Sequence, residues 1–219
     1  MTSTEPVLLV GAGAIGIEYA KVLRALGRDC VVIGRGATSA ARFAEATGLQ
    51  PIVGGVHGWI KSGAPIPSAA IICVNGDQLG VCSRMLMEAG VKRLLIEKPA
   101  GLDDADILQV EATTKAKGCD AYVAYNRRFY SSVLAALPLI ADDGGVTSFN
   151  FEFTEWSHVV ENVPASIGEK EGWFLHNSTH VVNLAFYLGG KPRDRVSFRA
   201  GGLSWHPSGS TFAGAGQSE

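Results

Sequence analysis

The chain has 219 residues, 47% hydrophobic and 18% charged, with 27 glycines. At about 150 residues per domain, that length gives one large domain or one and a half, and the apolar share excludes a disordered or fibrous chain. A formal net charge of −2 leaves no field for gripping nucleic acid or an anionic membrane surface. Residues 172–190 form the longest uncharged apolar stretch, but His, Asn, Ser and Thr interrupt it, and it is too short and polar to span a bilayer. The N-terminus lacks the basic-then-apolar profile of a signal peptide. Cys30, Cys73, Cys82 and Cys119 have no paired spacing and read as small hydrophobes of a reducing, cytoplasmic compartment.

The first 125 residues alternate short apolar runs with amphipathic segments. Residues 7–10 are predicted as a strand, followed by a helix carrying Ile15, Tyr19, Val22, Leu23 and Leu26 on its apolar face and stopped by Gly27. Further strands are expected at 30–33, 69–74, 93–96 and 121–124, with helices at 39–46, 81–88 and 103–117. Strand and helix in this rhythm indicate βαβ units and a parallel sheet covered on both faces.

After Tyr125 the texture changes. The pattern predicts a helix over 129–141, an alternating strand over 146–154, a helix over 173–188 and another alternating strand over 196–203. The Gly/Ala-rich tail from Phe212 to Glu219 is expected to fray. The division is therefore a dinucleotide-binding domain over 1–125 and a small α+β domain over 126–219.

Gly11-Ala12-Gly13-Ala14-Ile15-Gly16 follows the first strand and opens the first helix. In this context Gly11 permits a tight turn, Gly13 lets the backbone approach a pyrophosphate, and Gly16 lets helix and sheet pack closely. The helix N-terminus, including Ala14 and Ile15, offers N–H groups and partial positive charge to phosphates. After the second strand stands Gly34-Arg35-Gly36, where an NAD site normally carries an acidic residue for the ribose 2′-hydroxyl. Arg35 can instead pair with a 2′-phosphate, so NADP is favoured and NAD is the alternative. Ser39 and Arg42 lie close behind it.

Val74 and Asn75, at the end of the third apolar run, and Glu97 and Lys98, closing the next strand, fall where a parallel sheet presents strand ends to a ligand crevice. Lys98 there can exchange a proton with a hydroxyl or carbonyl oxygen, and Pro99 can aim it through a fixed backbone. In isolation Glu97-Lys98 also reads as an ordinary charged pair. Asn126 and Arg127 follow the last strand and can contact cofactor or substrate, whereas Arg128 is expected to face solvent or an ion pair. On the uncharged helix His176, His180, Asn183 and Tyr187 make one polar stripe at i, i+4, i+7 and i+11. That stripe suits a wet cleft, or alternatively backbone bonding inside a core. His176 and His180 have HxxxH spacing, but with no HExxH glutamate and no third ligand no metal site is expected. Trp156 and Trp173 read equally as sugar-stacking or core residues.

Taken together, GAGAIG, EKPAG (97–101), AYNRRF (124–129) and HNSTHVVNLAFYLGG (176–190) resemble the glucose–fructose oxidoreductase/inositol dehydrogenase/rhizopine-catabolism family. The resemblance covers almost the whole chain. It implies a Rossmann domain, doubly wound around a parallel sheet, followed by an α+β domain with an open mixed or antiparallel sheet that mediates homo-oligomers. It also implies that Lys98 matches the family's catalytic lysine and His180 its second-domain histidine, with His176 positioning a hydroxyl. Two departures stand out. His176 and Asn183 occupy positions where the family commonly has Asp, and the second domain is shortened. The expected activity is hydride transfer between NADP and a sugar, polyol or nucleotide-sugar. The alternatives are a non-catalytic nucleotide-binding regulator and a dihydrodiol or tetrapyrrole reductase of the same fold.

Overall fold

The computed structural model describes residues 5–166, 168–202 and 211–218. They form two compact units that divide between Ala124 and Tyr125. In chain order the first unit holds β1 (Val7–Val10), α1 (Ala14–Ala25), β2 (Cys30–Gly34), α2 (Ala37–Thr47), β3 (Ile52–Val53), α3 (Gly55–Lys61), β4 (Ala69–Ile72), α4 (Gly76–Ala89), β5 (Arg93–Ile96), α5 (Asp104–Lys117) and β6 (Asp120–Val123). The strands make one parallel sheet in the order β3-β2-β1-β4-β5-β6.

That order reverses direction between β1 and β4, so consecutive crossovers run to opposite sides and open a crevice beyond the strand ends. Being covered on both faces, the central strands carry continuous apolar runs instead of alternation. Every residue of β1 is buried. One core layer gathers Leu8, Ile33, Ile72, Leu86 and Leu94 with Trp59 of α3. The other sets Leu9, Ala20 and Val32 around Phe43 of α2. Glycines at left-handed φ end α2, α4 and α5 at Gly48, Gly90 and Gly118, the conformation that closes the last turn without a Cβ penalty. Asp103 caps α5 by accepting the Asp106 N–H at 2.8 Å.

β3 and α3 have no counterpart in the sequence pattern. A two-residue strand shows no period, and Gly54-Gly55 reads as loop. α4 starts at Gly76, five residues before the apolar signal at Val81, because its first turn is polar.

The second unit holds a 3-10 turn over Asn126–Phe129, α6 (Ser131–Asp142), α7 (Ser157–Val160), a π-helical segment Phe174–Ser178 that runs into α8 (Thr179–Gly189), β7 (Pro192–Ala200) and β8 (Thr211–Ser218). β7 and β8 form a two-stranded antiparallel ribbon. Two expectations are corrected here. Residues 146–154 form no strand. Their aromatic rings turn to the helix instead, with Phe149 and Phe151 both set edge-on to Phe186 at 5.8 and 5.9 Å. The tail predicted to fray is β8. Its small residues let the β7 backbone approach closely, since a Cβ at Gly216 would collide with the Asp194 carbonyl oxygen. The strand predicted over 196–203 begins earlier, at Pro192, and Leu203 lies outside the described residues.

Candidate active site

The fingerprint turn is built by close contacts. Gly11 has φ +124°, and a Cβ on it would collide with the Cys73 carbonyl oxygen. A Cβ on Gly16 would collide with the Gly11 carbonyl oxygen. Neither position tolerates a side chain. At Gly13 a Cβ would meet nothing within 4 Å, so the backbone there faces open space. Gly13 is also the N-cap of α1, with no side-chain cap and no acidic residue in the first turn. The first N–H groups of the helix, at Ala14 and Ile15, are thus left for an anionic partner. This concavity fits the pyrophosphate of a dinucleotide.

Cys73, just past β4, supports the turn from below, donating from Sγ to the carbonyls of Val10 at 3.3 Å and Gly11 at 3.7 Å. Burial pushes its thiol up to about 12, with the Glu97 carboxylate adding to the rise. Glu97, before Lys98, directly follows β5. It accepts the Tyr19 hydroxyl at 2.6 Å, joining the end of β5 to α1. Burial first, and then Glu97, drive the Tyr19 hydroxyl well above its ordinary range, so it remains a donor.

Lys98 is half-buried and stands in a turn closed by the Ala100 N–H on the Glu97 carbonyl, with a cis bond to Pro99. The following loop is fixed by Asp106. Its carboxylate accepts the Leu102 N–H at 3.0 Å and pairs with Arg84 of α4. Gly80 and Gly101 leave the room this carboxylate needs. Lys98 therefore projects from a braced turn at the C-terminal end of β5.

Arg35 is exposed immediately before α2, whose N-cap Gly36 carries no side-chain cap and whose first turn has no acidic residue. Ser39 bonds back to the Gly36 carbonyl at 3.1 Å. Burial raises the Cys82 thiol to about 11, with Arg35 pulling it down and Asp77 pushing it up. The Arg35 guanidinium thus lies within electrostatic reach of α4. Val74 is half-buried and Asn75 exposed at the N-terminus of the same helix. Asp77 Oδ1, in its first turn, is buried with no hydrogen-bond partner.

In the second unit the polar stripe is real but not uniformly wet. His176 is buried within the π-helical segment, His180 and Asn183 are half-buried, and Tyr187 is exposed. Such a segment widens a helix locally and recurs at functional sites. Tyr125 stands edge-on to His180 with centroids 6.0 Å apart, and burial raises its hydroxyl above the ordinary range, with Thr179 and Arg128 drawing it back. Asn126 is exposed and Arg127 half-buried in the 3-10 turn. The expectation for Arg128 is corrected. It turns inward, donating from Nε to Asn183 Oδ1 at 2.7 Å and lying 4.8 Å over the Tyr187 ring. Trp156 is 72% exposed, which removes its core reading. Trp173 donates to Glu155 at 3.1 Å. Among the described residues no group of three or more His, Cys, Asp or Glu could hold a metal ion, and no helix is long and apolar enough to cross a membrane.

Sequence reasoning missed Tyr19, Cys73 and the inward turn of Arg128. Tyr19 and Cys73 sit in apolar patterns, so periodicity counts them as core. The one available signal was the hydroxyl of Tyr19, which needs a partner when buried.

The family model for pyridine nucleotide-disulphide oxidoreductases matches residues 6–48, the stretch from β1 through α2. The trans-1,2-dihydrobenzene-1,2-diol dehydrogenase of Sus scrofa is 25% identical over 200 residues, which are 86% of this chain and 57% of that protein. Among solved structures, the WlbA dehydrogenase of Bordetella pertussis, bound to NADH and UDP-GlcNAcA, superposes with a TM-score of 0.76 at 15% identity. The match covers 98% of this chain and 68% of that one. An oxidoreductase from Agrobacterium radiobacter, bound to NAD+, L-tartaric acid and magnesium, gives a TM-score of 0.69 at 12% identity, over 94% of this chain and 60% of that one. This chain therefore has the fold of the nicotinamide-dependent dehydrogenases, a Rossmann-type parallel sheet followed by a smaller unit with an antiparallel ribbon.

Proposed function

We propose that this chain is an oxidoreductase that prefers NADP and acts at a carbinol or carbonyl carbon of a sugar, polyol or nucleotide-sugar. The observation that carries the reading is the open Gly13 backbone at the α1 N-terminus together with a lysine braced at the same, C-terminal edge of the sheet, at the end of β5 two strands along from β1. When bound, the nicotinamide supplies or accepts a hydride. The Gly11–Gly16 turn holds the pyrophosphate, Glu97 bonded to Tyr19 fixes the crevice wall, and Arg35 with the α2 N-terminus receives a 2′-phosphate. Lys98 Nζ donates a proton to the substrate oxygen during reduction and takes it back during oxidation. His180, edge-on to Tyr125, orients a substrate hydroxyl or assists the proton transfer, and His176 positions another hydroxyl. The chain is expected to work in the cytoplasm, as a homo-oligomer associating through the second unit.

Lys98→Ala should lower kcat by about 10²–10⁴ with little change in NADPH affinity. Lys98→Arg should not restore it, because a guanidinium stays protonated at working pH. A fully active Lys98→Ala enzyme would move the proton transfer to His180. The pig relative favours a second reading, in which the substrate is a cyclic trans-diol. A substrate panel with keto-sugars and trans-dihydrodiols, read by NADPH formation or consumption, separates the two.

A further inference from the structure

In the second unit the guanidinium of Arg128 is surrounded by the neutral groups Asn183, Tyr187 and Tyr125, while the carboxylate of Glu155 bonds Trp173, Asn177 and Ser178 at the start of the helix. Arg128 is half-buried, its guanidinium lying over two rings, 4.8 Å from the centroid of Tyr187 and 5.8 Å from that of Tyr125. Its Nε donates to the neutral Asn183 Oδ1 at 2.7 Å. Among the described residues no carboxylate pairs with it. The polar stripe of the helix beside it contributes His176, His180, Asn183 and Tyr187, none of them acidic.

A guanidinium presents its donors in a plane. Here its carbon lies over two aromatic rings and Nε is engaged with Asn183, which leaves the terminal amino groups as donors. Those donors match the paired oxygens of a carboxylate or phosphate. Tyr125 links the guanidinium to the candidate catalytic histidine, because the same ring that lies under Arg128 stands edge-on to His180 at 6.0 Å.

We propose that Arg128 is a substrate-binding residue that selects an oxyanion on the substrate, so that this chain acts on acidic sugar or polyol derivatives in preference to neutral ones. The proposal rests on the reading of a polyhydroxylated substrate given above and names its charge class. A neutral substrate leaves the guanidinium without a counter-charge, whereas an anionic one gains a charge-assisted pair of hydrogen bonds. The difference in affinity should be about 10- to 100-fold.

The test is titration calorimetry on the full chain saturated with NADP+, using D-glucuronate, D-glucose 6-phosphate and D-glucose as probes. At least one anion should bind about tenfold or more tightly than glucose, and which one does so identifies carboxylate or phosphate as the group read. Asn183→Asp sets a carboxylate against the guanidinium at unchanged size, and it should abolish that preference while its melting temperature stays at or above the parent's. Equal affinities for all three probes, no binding of any probe, or a preference that survives Asn183→Asp would each overturn the proposal. Turnover is read in parallel. An anion preference without cofactor-dependent turnover keeps the anion site and sinks the hydride-transfer reading. Turnover of glucose without preference does the reverse.

Discussion

The two units of this chain solve the burial problem differently. In the first, six parallel strands lie between helices, and each central strand is sealed on both faces by residues of the same unit. In the second, large apolar side chains remain at the surface, with Val196 on the ribbon 74% exposed and Phe149 and Phe151 about two-fifths exposed. Its described buried residues are few: Val133, Val160, His176, Ser178 and Gly189. A parallel sheet interleaved with helices supplies its own cover as the chain is laid down, because every crossover returns over a face. A two-stranded ribbon supplies none. Order in the second unit comes instead from aromatic pairs and from polar contacts such as Arg128 with Asn183.

The contrast can be broken at its strongest point first. Leu9→Ala, in a fully buried position of β1, should destabilise the first unit by about 2–5 kcal/mol, measured by urea unfolding. A loss under about 1 kcal/mol would mean that the sheet is less tightly packed than its burial implies. Alkali should reach the same unit next. The Cys73 and Cys82 thiols are raised from an ordinary 9.0 to about 12 and about 11, in both cases chiefly by burial. Above pH 9 the unfolded chain loses these protons and the folded one keeps them, so stability should be full below pH 9 and fall as pH rises toward 11 and 12. The slope should be about 1.4 kcal/mol per pH unit per thiol, and Cys82→Ala should flatten it. A stability curve flat from pH 9 to 11 would contradict that burial.

Smaller effects test the site instead of the core. Arg35→Ala should remove most of a preference for NADPH over NADH worth about 1.5–3 kcal/mol and leave NADH binding nearly unchanged. Equal affinities in the parent would remove the NADP assignment. Gly13→Ala should keep the fold, because the added Cβ meets nothing within 4 Å, at a cost of no more than about 1 kcal/mol for alanine as a poorer N-cap. It should still weaken cofactor binding by about tenfold, near 1.4 kcal/mol, by filling the space a pyrophosphate needs. Weakest of all, Val196→Ala on the exposed ribbon should change stability by less than about 0.5 kcal/mol. A larger loss would show that the ribbon is covered in solution.

The legible features were those whose cause is local. Five of the six parallel strands followed from apolar runs bounded by turns, and the Gly11–Gly16 turn from three glycines that sterics demand between a strand and a helix. The hidden features were long-range or two-sided. Residues 146–154 alternate as a strand does, yet alternation only requires one apolar side, and Phe186 satisfies it without a partner strand. The stretch from Thr211 to Ser218 looked too small-sided to be ordered, although small residues are what allow β7 to lie so near. In the Arg127-Arg128 pair, composition could not say which arginine turns inward.

By itself the sequence determined the parallel sheet and the dinucleotide turn, because periodicity and glycine sterics act within a few residues. Tertiary structure alone decided that Tyr19 meets Glu97 across 78 positions, that Cys73 supports the Val10 and Gly11 carbonyls across 63 and 62, and that Arg128 meets Asn183 across 55. Those partners are chosen by strand order, by the crossing of a helix over the sheet, and by the fold of a turn against a helix. A buried hydroxyl, thiol or guanidinium then takes whichever acceptor that geometry brings within reach.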